Sequence, residues 1–314
     1  MKLIQQQIQI DAKTTGLRLD QAIHQQLAKF SRSKIQQWIN SGFIELNQHQ
    51  VKPKHKVFAG DVITLDVPET QKIFDQPESI KFDILHQDRD IFIINKPAGL
   101  VVHPAAGHDS GTLVNGLLYH DASLKQLPRG GIVHRLDKDT TGIMVVARNL
   151  SAFNFLVDQI QRHEVKREYI AITQGVVTAG RTIDAAINRH PVDRKRMAVR
   201  DDGKHAITHF QVAEKFRFHS LINVQLETGR THQIRVHLAH IRYPLLGDKT
   251  YGGRLQIPAG ISTNLEAEIR QFPRQALHAK RLSFLHPESL QLVEFTAPKP
   301  KDFEQMLKCL RTEK

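Results

Sequence analysis

The chain has 314 residues and sets 44 Lys and Arg against 32 Asp and Glu, a formal net charge of +12, which favours a polyanionic partner because each phosphate neutralised releases counterions. Its length suits one large and one small domain with ample core, and its hydrophobic and charged fractions, 40% and 24%, are those of an ordinary globular protein. The single cysteine, Cys309, excludes an internal disulfide and a cysteine-based zinc site; with no apolar run of signal-peptide or membrane-span length, a cytoplasmic protein with no membrane partner is expected.

The N-terminal "MKLIQQQIQIDAKTTG" alternates and reads as a strand. From Arg18 to Phe30, "RLDQAIHQQLAKF" places Leu19, Ala22, Ile23, Leu27 and Phe30 on one helical face. In "SRSKIQQWINSGFIELN", Ser31 or Ser33 can cap a second helix, Ile35, Trp38 and Ile39 form its apolar stripe, and Gly42 ends it. "FIELN" and "HKVFAGDVITLDV", with a turn at Ala59-Gly60, read as short strands. The decoration is basic: Arg18, Arg32 and Lys34 near the helix starts, then Lys52, Lys54, His55 and Lys56. Charge alone fits a solvated surface as well as an RNA footing. The "RLD" start, "SRSKIQQWINSGFIELN" and "GDVI" resemble the small S4-like RNA-binding module shared by a ribosomal protein and tyrosyl-tRNA synthetases. That resemblance implies RNA contacts for Arg18, Arg32, Lys34 and Lys52.

Residues 68–81, "PETQKIFDQPESIK", are polar, contain two prolines and have no periodicity. They read as a linker, with domains at 1–75 and 76–314. Beyond it, "FDILHQDRDIFIINKPAGLVVHP", "REYIAITQGVV", "KHAITHFQVAEKF", "SLINVQLET" and "LQLVEFTAP" read as strands, and "GTLVNGLLYH" and "NLSAFNFLVDQIQRH" as helices. Strands that follow one another through short connections predict an α+β fold with a mixed, largely antiparallel sheet and packed helices.

"GGIVHRLDKDTTGIMVVA", residues 130–147, places Asp137 and Asp139 between two apolar runs. A strand from Ile132 to Leu136 would project Arg135 and Asp137 from one face, with Thr140, Thr141 and Gly142 as the turn. Spacing leaves open whether Asp137 forms a structural ion pair with Arg135 or is a reactive carboxylate at a strand end. Asp139 is expected to face solvent or bind the turn backbone.

"HRLDKDTTG" resembles the catalytic signature of the pseudouridine synthases of the RluA type. "INKPAGLVVHPAAGHDSGTLVNGLL", "VKREYIA", "GRTHQIRVHLAHIRYPLLGDKTYGG" and "RQALHAKRLSFLHP" resemble that family in its order, so with the N-terminal module the similarity covers nearly the whole chain. It implies the pseudouridine synthase fold and isomerisation of uridines in large-subunit (23S) rRNA, in the helix 69 stem-loop, by a monomer. Target choice is left open, because related enzymes share these motifs yet modify other rRNA or tRNA uridines. No redox change or phosphoryl transfer occurs in that reaction, so no cofactor is implied.

Asp137 matches the family's catalytic Asp. A buried carboxylate needs a cation to stay ionised, and Arg235 matches the family's active-site Arg. Tyr169 matches the Tyr that stacks on the target base and helps remove its carbon-5 proton. Arg135 matches a position that helps displace the target nucleotide from its stack. Lys96 and Pro97 match another family motif and read as scaffold at the edge of the active cleft, and Lys96, with His134, Arg230 and His232 from the same motifs, is assigned to the substrate-binding side with direct contact left open. Arg194 and Arg196, in "INRHPVDRKRMAVR", form either a solvated loop or, with an RNA substrate, phosphate contacts. "TGRTHQIRVHLAH" reads as a strand end, a turn at Gly229 and a helix. His232 and His237 are five residues apart and fall on different helical faces, so no metal site is expected. Two other readings are a silent RNA-binding assembly factor and a carboxylate glycosidase. The glycosidase would need Asp137 and Asp139 to face each other across a sugar bond, which residues two apart on a loop seldom do.

Overall fold

A computed structural model describes residues 3–12, 14–27, 30, 32–68, 76–104 and 110–313. The chain divides into two compact units, residues 1–73 and 74–314.

In the smaller unit, β1 (Leu3–Gln9), α1 (Leu19–Gln26), α2 (Arg32–Asn40), β2 (Ile44–Leu46) and β3 (Val62–Pro68) surround one core. The three strands pair antiparallel in the order β1-β3-β2. The two predicted helical stripes meet there, Leu19, Ala22 and Ile23 against Ile35, Trp38 and Ile39, over Ile8, Ile44, Ile63 and Leu65. Burial of each Leu or Ile among them contributes roughly 1.5–3 kcal/mol. The first helix is shorter than predicted and ends at Gln26, yet Leu27 stays buried and Phe30 packs edge-on against Trp38 at 4.8 Å. Ser31 lies outside the described residues, and Ser33 falls inside α2. Around residue 56 no strand forms; Lys56 makes a lone bridge to Arg18.

Asp20 is fully buried at the start of α1 and accepts hydrogen bonds from Arg18 Nε (3.0 Å) and Arg32 Nη2 (2.9 Å), and one from Gln36. Burial alone would raise its pKa; the bonds from Gln36, Arg32 and Arg18 outweigh burial and lower it. Lys34 lies over the Trp38 ring at 5.3 Å, and Lys52 is exposed.

The larger unit contains β4 (Asp83–Gln87), β5 (Ile91–Lys96), α3 (Leu113–His120), β6 (Thr141–Ala147), α4 (Leu150–Gln161) and β7 (Lys166–Gln174). Next come β8 (Arg181–Asp184), the hairpin strands β9 (Ile187–Arg189) and β10 (Met197–Val199), β11 (Ile207–Lys215) and β12 (His219–Leu226). The chain continues through α5 (Gln233–His240), α6 (Thr263–Gln271), β13 (Leu277–Leu285), β14 (Leu292–Thr296) and α7 (Lys301–Thr312). A nine-stranded sheet runs β4-β5-β6-β13-β7-β12-β11-β8, with β14 beside β13. Its pairs are antiparallel except β6 with β13, so the expected mixed, largely antiparallel sheet with flanking helices is what forms.

β7 is buried on both faces. Tyr169 and Ala171 join the main core with residues of α3, α4, β5 and β6, while Ile170 and Ile172 pack under α6 and α7. No described helix is long and apolar enough to cross a membrane.

Around Asp137 the structure corrects the sequence reading. Ile132 to Leu136 is not a strand: a 3-10 turn over Pro128–Gly131 leads into an extended loop that touches β6 through a single bridge, Ile132 to Val146. β6 already begins at Thr141, and the reversal lies at Lys138-Asp139, closed by Thr140 N–H on the Asp137 carbonyl (3.1 Å). Two glycines bracket this loop in left-handed backbone. A Cβ on Gly131 (φ +79°) would sit 2.0 Å from the Ala147 carbonyl oxygen, and one on Gly142 (φ +114°) 2.1 Å from that of Ala279. Neither position accepts a side chain.

Candidate active site

The loop 132–140 is held from three directions by polar side chains. Lys96, fully buried at the end of β5, donates its three ammonium hydrogens to the carbonyls of Pro97 (2.8 Å), Leu100 (2.9 Å) and Lys138 (2.8 Å). Burial pulls that ammonium down to about 7, against the opposing attraction of Asp139 and Asp137. Arg274 forks onto Asp302 (2.7 and 2.9 Å) and donates from Nη1 to the Asp139 carbonyl (3.3 Å). Gln275 donates to Thr140 Oγ1 (3.1 Å), and His278 is hydrogen-bonded to Thr141 (2.9 Å). His134 Nε2 accepts the Val145 N–H at 3.0 Å. Burial, reinforced by Arg167, lowers His134 to about 3, so it remains a neutral acceptor. A short polar loop thereby acquires the rigidity of the strands around it.

The rigid loop presents the Asp137 carboxylate to α5. Arg235, on the buried side of α5, donates from Nη1 to Asp137 Oδ2 at 3.0 Å. Its other edge forks onto Asp248, Nε to Oδ2 at 2.7 Å and Nη2 to Oδ1 at 2.9 Å. Burial works against the guanidinium's charge, but the bonds to Asp248 and the charge of Asp137 outweigh it and raise its pKa. Asp248 is lowered: burial is outweighed by Arg235 and by the N–H groups of Thr250 (2.9 Å) and Tyr251 (3.0 Å).

One arginine therefore serves two acids unequally. The Asp248 side chain is 0% exposed and saturated with donors; that of Asp137 is 16% exposed, and Arg235 holds only its Oδ2. The Asp137 Oδ1 faces His232 Nε2 at 3.9 Å, beyond hydrogen-bond reach. A carboxylate fixed through one oxygen and open at the other is equipped to attack an electrophile or to stabilise developing positive charge.

Tyr169 is buried on β7 between Val224 of β12 and Ala279 of β13. Burial raises its phenol pKa, Arg167 opposes, and the charge of Asp137 reaches it and adds to the rise. Asp137, Tyr169 and Arg235, from a loop, a strand and a helix 98 residues apart at the extremes, thus converge. His232 caps α5 in left-handed backbone (φ 58°), its Nδ1 bonded to the Tyr251 hydroxyl at 2.8 Å. Burial lowers its pKa, with Asp137 opposing.

Lys96, read from the sequence as scaffold at the cleft edge, is fully buried and anchors the loop, and half-buried His134 is bonded to β6. The alternative Arg135–Asp137 pair does not form: Arg135 is exposed, and the guanidinium on Asp137 is that of Arg235. Arg230 is half-buried and donates from Nε to the His205 carbonyl (3.0 Å). Arg194 is exposed at the tip of the β9–β10 hairpin, whereas Arg196 folds back over the Tyr251 ring at 5.4 Å. Asp248 and Tyr251 were not singled out by the sequence reading, although both lie in the quoted "LLGDKTYGG".

His237 has both ring nitrogens bonded, to Thr208 Oγ1 and the Ala185 carbonyl, and is not arranged as a metal ligand. Among the described residues the one cluster with metal-ligand chemistry is Asp88, Asp90 and His286. Its atoms are tied to one another, to His86, to Asn149 and to backbone N–H groups.

A family model described as RNA pseudouridylate synthase matches residues 90–240, and an S4 domain model matches residues 17–63. The Xylella fastidiosa protein named ribosomal large subunit pseudouridine synthase D is 49% identical over 296 residues, covering 94% of this chain and 89% of the relative. The protein of that name from Pseudomonas aeruginosa is 47% identical over 312 residues (99% and 98%), and that from Escherichia coli 45% over 313 residues (98% and 96%). Among solved structures, human RNA pseudouridylate synthase domain containing 4 superposes with a TM-score of 0.57 at 27% identity, over 73% of this chain and 92% of that one. Near half identity along almost the full length, on a sheet that brings an acid, an arginine and a buried tyrosine together, admits one conclusion: the chain belongs to the RNA pseudouridylate synthase family, with an S4 domain in its N-terminal unit.

Proposed function

We propose that this enzyme converts specific uridines of large-subunit rRNA, in the helix 69 stem-loop, to pseudouridine, with Asp137 as the reacting carboxylate. The observation that carries the reading is the unequal sharing of Arg235, which leaves Asp137 the acid with an open oxygen beside Tyr169. The reaction breaks the bond from ribose carbon 1′ to uracil N1, turns the base, and joins carbon 1′ to carbon 5. N1 gains a proton and carbon 5 loses one, so the product is an isomer and neither oxidant nor phosphoryl donor is consumed. Arg235 orients Asp137, and the neutral, buried phenol of Tyr169 provides a face on which the turned base stacks, an interaction of roughly 1–3 kcal/mol. Arg135, exposed on the loop, occupies in this reading the space the flipped nucleotide leaves.

In this reading residues 76–314 perform the chemistry as a cytoplasmic monomer. Residues 1–75 add phosphate contacts through exposed Lys52 and its neighbours, with Arg194 contributing from the hairpin. The test is tritium release from 23S rRNA carrying carbon-5-tritiated uridine. Asp137→Asn is expected to abolish release while RNA affinity stays within about twofold, because it removes no cation that meets phosphate. Release at the wild-type rate would overturn the reading. Mapping pseudouridines in cellular RNA with and without the gene identifies the target, and unchanged helix 69 would refute that assignment.

A further inference from the structure

The β9–β10 hairpin stands outside the main sheet and rests on α5, where Ile187, Met197 and Val199 pack with Val236, Ala239 and Tyr251. Its tip, residues 190–196, carries Arg194 and Lys195, both exposed. Directly after the tip, at the start of β10, the Met197 N–H donates to the Tyr251 hydroxyl at 2.8 Å. The same hydroxyl is 2.8 Å from His232 Nδ1, and His232 Nε2 faces the open oxygen of Asp137 at 3.9 Å. The Tyr251 ring also lies beneath two guanidinium groups, Arg196 of the hairpin at 5.4 Å and Arg235 at 5.0 Å. Arg196 Nε is buried there with no hydrogen-bond partner.

We propose that Tyr251 is a positioning residue that couples the seating of RNA on this hairpin to the orientation of Asp137. The proposal rests on the reading of Asp137 as the reacting carboxylate. In this proposal the hydroxyl accepts the Met197 N–H and gives its own proton to His232 Nδ1, which makes the imidazole the Nε2–H tautomer. That N–H points at Asp137 Oδ1, but the 3.9 Å gap is too long for a hydrogen bond. RNA phosphates drawn to Arg194 and Lys195 press the hairpin against α5 and move Met197, Tyr251 and His232 as one chain. The gap closes, and both carboxylate oxygens are then fixed, one by Arg235 and one by His232. A carboxylate oriented only when RNA is seated confines the chemistry to bound substrate.

The experiment is a double-substitution cycle read by single-turnover rate at saturating RNA and by RNA affinity. Tyr251→Phe keeps the ring and removes the hydroxyl. It is expected to slow the single-turnover rate by about tenfold or more, as small misplacements of a reacting group do, with affinity unchanged. Arg194→Ala with Lys195→Ala is expected to weaken both affinity and rate. In the Tyr251→Phe background the tip substitutions should still weaken affinity but no longer slow the rate. Rate effects that simply multiply, or a Tyr251→Phe rate equal to wild type, would overturn the coupling. Long-range proton–nitrogen NMR of His232 gives a readout independent of activity: the Nε2–H tautomer is expected in wild type and a mixture in Tyr251→Phe, and identical spectra would also overturn it. Asp137→Asn run alongside separates the two ideas. Activity there refutes the carboxylate reading, whereas an inactive Asp137→Asn with multiplicative rates refutes the coupling alone.

Discussion

Asp248→Asn tests whether the second acid on Arg235 is what holds the first in place. The substitution preserves shape but gives the site one acceptor oxygen where the carboxylate has two. Asp248 now accepts four hydrogen bonds, two from Arg235 and two from backbone N–H groups. Oδ1 takes Arg235 Nη2 and both backbone N–H groups while Oδ2 takes only Arg235 Nε, so the amide turns its NH2 toward Nε; the buried guanidinium loses that bond and the negative charge that faced it. Removing one partner of a buried pair costs about 3–5 kcal/mol, and for a domain of this size each kcal/mol moves the midpoint by about 2–4 °C. A fall of about 6 °C or more is expected. The assay resolves which unit responds, because the only tryptophan, Trp38, lies in the core of the small unit. Its fluorescence reports that unit, while far-UV circular dichroism is dominated by the larger one, where the loss is expected. Turnover should fall by about tenfold or more as Arg235 loosens its hold on Asp137. An unmoved dichroism midpoint, or a destabilised protein with full turnover, would refute the argument.

Two further outcomes follow from buried groups. His219 and His278 are almost wholly buried and are lowered by burial to about 4, from the usual 6.5. Their stabilising neutrality is complete above the unfolded pKa and is lost as pH falls from 6.5 toward 4, because the unfolded chain takes up the protons first. At pH 5 the two together should cost about 4 kcal/mol, with His103 and His134 acting in the same direction; urea midpoints that stay flat between pH 7.5 and pH 5 would contradict this. Gly142→Ala adds a Cβ 2.1 Å from the Ala279 carbonyl in left-handed backbone, so it should destabilise by about 3 kcal/mol and part β6 from β13; a dichroism midpoint within 2 °C of wild type, about 1 kcal/mol, would show that the close approach is not rigid.

What the sequence disclosed depended on whether the signal was local. The helices at Leu19, Arg32, Leu113 and Leu150 announced themselves through 3.6-residue stripes or caps, and β7 and β12 through β-branched runs. α7 was missed although Phe303, Met306, Leu307 and Leu310 have the spacing of a buried face and Pro300 marks its start. β13 was read only as a motif, because Lys280 and Arg281 interrupt its apolar run while β6, β7 and β14 pair with it on both sides. The stretch before Asp137 looked like a strand because Ile132, Val133 and Leu136 are apolar; it is bonded to β6 only at Ile132 and His134, and the turn after Asp137 is held by Lys96, Arg274 and Gln275, tens to more than a hundred residues away. Asp137, Tyr169 and Arg235 were legible through resemblance, but nothing local revealed Asp248, whose role exists only once α5 turns Arg235 toward it.

The same limit governs the basic surplus. A count of arginines treats them alike, yet burial and acidic neighbours separate them. Arg274 is nearly inaccessible and forked onto Asp302, Arg235 bridges two aspartates, and Arg18 and Arg32 share Asp20. Counterion release needs a cation that meets phosphate without first giving up a carboxylate. Arg135, Arg194, Lys195 and Lys52 meet that condition; Arg235 and Arg274 do not. Their charges set the stage for Asp137 rather than the affinity for RNA. Neutralising one exposed group should therefore flatten the salt dependence of binding by about one unit of slope, whereas Arg274→Met should leave that slope intact while loosening the loop through the lost bond to the Asp139 carbonyl.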